Sequence, residues 1–183
     1  MTAPHGLRVE HLDEALGIRS TQPRLSWRLP DGAREQSAYR ITADNGWDTG
    51  WVESDRSLFV PYTGPPLESS QRVEWRVAVR TDRGESPVSA PSAFETGLLW
   101  EEDWHASWVE PGVMPGGPKG ERPAALLRFE FDVDRPVASA RLHATAQGIY
   151  EAFLDGARIG DAPTGPTGYS STACHHAERV PAL

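Results

Sequence analysis

The sequence predicts an all-β protein: two tandem β-sandwich modules, the second a truncated β-sandwich. Three observations carry this. Apolar residues recur with period two in several short runs. In VEWRVAVRT, Val73, Trp75, Val77 and Val79 share one face, while Glu74, Arg76 and Arg80 share the other. Glycine and proline are abundant, 17 and 16 residues, as many short strands broken by turns require. Helical periodicity is scarce, and its best stretch, HLDEALG, is too short to make a helix with confidence from pattern alone.

The elements follow in order. PRLSWRL puts Leu25, Trp27 and Leu29 on one face, and AYRITA does the same with Tyr39 and Ile41. Breakers separate these runs at Asp44–Gly46, Thr63–Pro66 and Asp82–Gly84. Strands at this spacing, with no alternating helices, predict an antiparallel sandwich over residues 5–98. Residues 99–123 then read as a linker and loop, ending in the Gly- and Pro-rich GVMPGGPKGERP. Residues 124–183 resume the strand pattern. LLRFEFDV alternates Leu127, Phe129, Phe131 and Val133 against Arg128, Glu130 and Asp132. ASARLHATA aligns Ala138, Ala140, Leu142 and Ala144. In GIYEAFLDGARIGD, Asp155-Gly156 between two apolar runs predicts a hairpin with a type I′ turn. IYEAFL carries apolar residues on both faces, which predicts cover on both sides. After Asp161 no strand pattern continues. About four strands are fewer than a closed sandwich uses, so the second module reads as incomplete, marginally stable and open at one edge. The first has strands enough to fold alone.

Composition excludes several classes. The formal net charge is −8, with 18 basic against 26 acidic residues. That predicts no nucleic-acid partner and no attraction to an anionic membrane surface. No apolar run approaches the roughly 20 residues that span a bilayer. The opening residues show no basic region followed by an apolar stretch. A lone cysteine makes no internal disulfide. The expected location is cytoplasmic.

The order of motifs is distinctive. TQPRLSWRL, QSAYRITA, WDTGWVESDRS, VEWRVAVRTDRGESPVSAPSAFETGLL and DWHASWVEP follow one another. Together they resemble the N-terminal immunoglobulin/fibronectin-III-like module of bacterial α-L-rhamnosidases. The next stretch, LLRFEFDVDRPVASARLHATAQGIYEAFLDGARIGD, is similar to that family's following β-sandwich. The family's usual pattern there runs tyrosine-glutamate, Asn-Gly, Arg-Val-Gly-Asp. Here it stands as Tyr150, Glu151, Asp155, Gly156, Arg158, Ile159, Gly160 and Asp161. The resemblance covers roughly residues 7–170. It implies a longer enzyme whose catalytic carboxylates, on a downstream (α/α)6 barrel, hydrolyse terminal α-L-rhamnosides with inversion. The barrel and the other downstream rhamnosidase domains are missing here. The family continues with an aromatic-rich strand where this chain reads STACHHAERVPAL, an abrupt departure such as a frameshift or early stop produces.

Candidate chemistry is sparse. Cys174, His175 and His176 are adjacent, whereas a structural zinc site uses spaced pairs, and strand neighbours point to opposite faces. These residues read as an unstructured tail. Glu101, Glu102 and Asp103 are consecutive in the linker and form a solvated acidic patch rather than two carboxyls facing across a sugar. PGGPKG, with Lys119, lacks the ending of a phosphate loop, and VEHLDE lacks the second histidine of a zinc-protease motif. His143 lies on the polar face of its strand and is expected to face solvent. Trp27 and Trp75 are expected in the core, and Trp100, Trp104 and Trp108, four apart, between the modules. Trp47 and Trp51 flank DTG beside a strand; an indole there can stack on a sugar and donate a hydrogen bond, so they are the carbohydrate-binding candidates. No catalytic residue, metal ligand or cofactor is assigned. The chain reads as the non-catalytic N-terminal portion of an α-L-rhamnosidase. The alternatives are a standalone module binding rhamnose-containing glycans and an inert scaffold fragment.

Overall fold

The computed structural model describes residues 1–13, 15–113, 116–118, 121, 123–146, 149–164 and 174–180; for 160–164 and 174–180 it describes the backbone path. The chain forms β1 (His5–Val9), β2 (Ala15–Ile18), β3 (Arg24–Arg28), β4 (Gln36–Ala43), β5 (Val52–Glu53), β6 (Val60–Pro61), β7 (Arg72–Thr81), β8 (Gly84–Glu85) and β9 (Ser92–Thr96). After a single 3-10 turn at Glu101–Asp103 come β10 (Ala140–Ala146), β11 (Tyr150–Leu154), β12 (Ala157–Thr164) and β13 (Cys174–Val180).

The first nine strands make two sheets. One has the order β1-β3-β6; the other runs β2-β9-β7-β4-β5, with β8 folded back on the end of β7. All pairings are antiparallel except β2 with β9. The alternation in β7 produces the core directly. Val73, Trp75, Val77 and Val79 are fully buried and meet Leu25, Trp27 and Val60 from the opposite sheet in one cluster. Burial of this apolar surface is the main stabilising term. Its polar groups are mostly matched. The Trp27 indole N–H donates to Gln36 Oε1 at 3.0 Å, and Gln36 Nε2 donates to the carbonyls of Ser54 and Arg56. Trp75 Nε1 is buried without a partner.

The stretch HLDEALG, judged too short for a helix, runs into a strand: Ala15–Ile18 lies at the sheet edge beside β9. Burial of Ala15 and Ile18 overrides the weak helical pattern.

The second half differs more. Asp155 and Gly156 take φ of 48° and 79°, the positive values of a type I′ turn, and join β11 to β12. Phe153 is 56% exposed, so β11 is not covered on both faces as its composition predicted. β12 reaches Thr164, and Cys174–Val180 pairs antiparallel with the whole of β10. Strand structure therefore continues past Asp161, and Cys174, His175 and His176 lie on a strand. The pattern did not show this because β10 offers backbone donors and acceptors that accept almost any side-chain sequence opposite them. Residues 165–173 and 181–183 lie outside the described residues, as does Lys119. LLRFEFDV pairs with no strand among the described residues, and its side chains stand in solvent. Among the described residues no helix is long and apolar enough to cross a membrane.

Candidate functional site

Trp51 immediately precedes β5, at the edge of the larger sheet. Its ring is half-buried. Arg80 emerges on the outer face of β7 because Val79 and Thr81 beside it turn inward. Opposite Arg80 in the register stands Ala38, whose small side chain leaves the guanidinium room to lie across the sheet. Its central carbon sits 4.1 Å from the Trp51 ring centroid, a cation–π contact. Glu53 and Glu85 flank the same guanidinium at 3.7 and 3.3 Å. Nearby, Arg40 holds Asp48 through two contacts of 2.9 and 2.5 Å. The Arg40 guanidinium and the Gly50 N–H lower the Asp48 pKa to about 2. An indole face can stack on a sugar, and ion-pair groups beside it can hydrogen-bond the sugar's hydroxyls.

Trp47 is placed differently. It is 6% exposed and belongs to the core. Its ring meets Tyr62 edge-on at 4.6 Å between centroids. Tyr62 accepts a hydrogen bond from Asn45 Nδ2 and donates to the Pro65 carbonyl. Gly64 closes this group: a Cβ there would stand 2.6 Å from the Tyr62 ring and 2.7 Å from that of Trp47. Trp47 therefore offers no free face, and the structure does not bring it together with Trp51 in one surface.

A polar contact joins the halves where the sequence pattern predicted tryptophans. Arg141 on β10 donates to both oxygens of Glu95 on β9, at 2.6 and 2.7 Å. The two side chains are 21% and 10% exposed. Glu95 holds the Arg141 pKa above its ordinary value. His143, two residues on and therefore on the same face, is half-buried with Nε2 3.3 Å from Ser70 Oγ. It does not face open solvent as its polar strand face had predicted. Trp100 and Trp108, expected at the junction, are 51% and 63% exposed, and Trp104 is half-buried. The readable signal was the polar stripe Arg141, His143 and Thr145, which alternation alone assigns to water.

The acidic run has a local role. Asp103 accepts hydrogen bonds from the Ser69 hydroxyl and the Trp100 N–H, tying the 3-10 turn to the first sandwich. Among the described residues no three His, Cys, Asp or Glu groups converge as metal ligands.

Residues 4–100 match the family described as Rha78A-like, N-terminal immunoglobulin domain. An α-L-rhamnosidase of Streptomyces avermitilis is 35% identical over 82% of this chain and 18% of its own length. One from Formosa agariphila is 33% identical over 92% of this chain and 20% of its own. Among solved structures, the α-L-rhamnosidase from Dictyoglumus thermophilum superposes with a TM-score of 0.74 at 28% identity, covering 87% of this chain and 21% of that one. The S. avermitilis α-L-rhamnosidase complexed with L-rhamnose gives 0.58 at 28% identity, over 97% and 21%. The chain thus spans 18–20% of the length of these curated relatives. With more than half its residues inside the matched region, the chain belongs to the Rha78A-like N-terminal immunoglobulin domain family.

Proposed function

We propose that this chain is the non-catalytic N-terminal portion of an α-L-rhamnosidase. It comprises a sandwich over residues 5–98, a linker and loop over 99–123, and the opening strands of a second sandwich over 124–183. The observation that supports this most is coverage: relatives named α-L-rhamnosidase align with most of this chain, yet the aligned part is only 18–20% of their own length. Hydrolysis of a glycoside needs two carboxyls facing across the sugar. Asp103 is engaged in holding a turn, and Asp48 is held by Arg40. The work left to such a platform is structural: it presents a rigid edge and a bridged second sheet to the downstream rhamnosidase domains.

The chain alone should release no aryl alcohol from an aryl α-L-rhamnoside above the buffer rate. Robust turnover that survives repurification would overturn the reading. A second reading, binding of rhamnose-containing glycans, rests on Trp51 with its Arg80 cap. Calorimetric titration with L-rhamnose decides it: saturable heat lost in Trp51→Ala supports it, and the absence of heat removes it.

A further inference from the structure

Asn45 is the single asparagine of the chain, and Gly46 follows it. That pair can modify itself. Once a solvent base takes its proton, the Gly46 backbone nitrogen can attack Asn45 Cγ. An N–C bond forms, the Cγ–Nδ2 bond breaks, and ammonia leaves with a proton from water. Water then opens the five-membered imide at either carbonyl, leaving aspartate or isoaspartate. Glycine favours the step because no side chain hinders close approach of its backbone. A Cβ built on Gly46 would meet nothing within 4 Å, so the turn is open to water on that side.

Each reacting group is engaged in the folded turn. The Gly46 N–H donates to the Ala43 carbonyl at 3.3 Å. Asn45 Oδ1 accepts from the Trp47 N–H at 3.2 Å. Asn45 Nδ2, the nitrogen that must leave, donates to the Tyr62 hydroxyl oxygen at 2.7 Å. Tyr62 is 2% exposed and meets Trp47 and Phe94 edge-on, so its hydroxyl cannot follow a moving amide. We propose that Asn45 is a deamidation site and that the Tyr62 hydroxyl is the latch that restrains it. The carboxamide must turn its face toward the Gly46 nitrogen, and it does so only after leaving Tyr62. The product carboxylate has no proton to give Tyr62, whose own O–H is committed to the Pro65 carbonyl. Two oxygens with no proton between them then meet beside the core, which disfavours the native packing there.

Peptide mapping by mass spectrometry on the full chain, held in mildly alkaline buffer, tests this. The tryptic peptide of residues 41–56 carries the site, and its aspartate and isoaspartate forms separate by chromatography. In urea, where all three bonds are lost, conversion should run about tenfold or more faster than in the native protein. Tyr62→Phe keeps the ring and removes the acceptor, and should speed native conversion about two- to tenfold, the range one such bond supports. Trp27→Phe is the control: its indole bonds Gln36 rather than the turn, so the native rate should stay unchanged. Equal rates in urea and in buffer, or no conversion in urea, overturn the proposal. So does a Tyr62→Phe rate equal to wild type, or an equal acceleration by Trp27→Phe, which would put global unfolding rather than Tyr62 in control. Asn45→Asp, one of the two products, should lower Tm, and an unchanged Tm contradicts the clash at Tyr62.

Discussion

Replacing Arg141 with methionine should loosen the second sheet from the first sandwich. The guanidinium makes two charge-assisted bonds to Glu95, and both side chains are largely covered. Breaking a fully buried pair costs about 3–5 kcal/mol because the remaining charge is stranded. Arg141 keeps a fifth of its surface in water, and Glu95 regains solvent if the sheet lifts, so the cost here should be smaller, about 2–3 kcal/mol. That corresponds to roughly a 30- to 160-fold rise in the undocked population. Limited proteolysis in the junction, run where cleavage is slow relative to reclosing, reads that population as a rate. Arg8→Met supplies the control, because its ion pair with Asp13 is exposed and such pairs contribute about 0–1 kcal/mol. With Glu95→Gln the cycle should show coupling of about 1 kcal/mol or more. Equal cleavage rates for Arg141→Met and wild type, or additive single effects, would refute the argument that this pair docks the sheet.

Trp27 and Trp75 are both fully buried, but only the Trp27 N–H has an acceptor. Trp27→Phe should therefore cost about 1–2 kcal/mol more than Trp75→Phe in urea unfolding, and equal costs would contradict that view of the core. Gly64→Ala forces a methyl against the Tyr62 and Trp47 rings and should lower stability by about 1–3 kcal/mol, visible as a reduced Tm. The Asp48 pKa is depressed on folding, so its stabilising contribution is present above the ordinary 3.8 and fades as pH falls through about 2. Arg40→Ala should return the Asp48 titration, followed by NMR of its carboxyl carbon, toward 3.8; no movement would remove Arg40 as the cause.

Much of the first sandwich was legible because burial and period coincide there. Val73, Trp75, Val77 and Val79 can reach a core only from a strand, and each is buried. Asp155-Gly156 was equally readable, since few dipeptides tolerate two positive φ values. Ala15–Ile18 was obscured because a short edge strand carries too few residues to establish a period. β13 was unreadable because its partner strand, rather than its own composition, decides its state. The site was only partly legible for a related reason. Trp47 and Trp51 look alike in sequence, four apart around DTG, yet Tyr62 and Gly64 draw one into the core and Arg80 caps the other. Those partners are distant in sequence. The Glu95–Arg141 bridge was hidden by a general expectation that charged strand faces meet water; here each charge satisfies the other across two sheets.

The central claim, that this chain is the front of a rhamnosidase, is tested most directly on the coding DNA. Sequencing through codon 183 and several kilobases beyond, read in all frames, should reveal the catalytic region of an α-L-rhamnosidase in one of them. If no frame carries one, the chain is not the front of such an enzyme, and the glycan-binding reading centred on Trp51 takes its place.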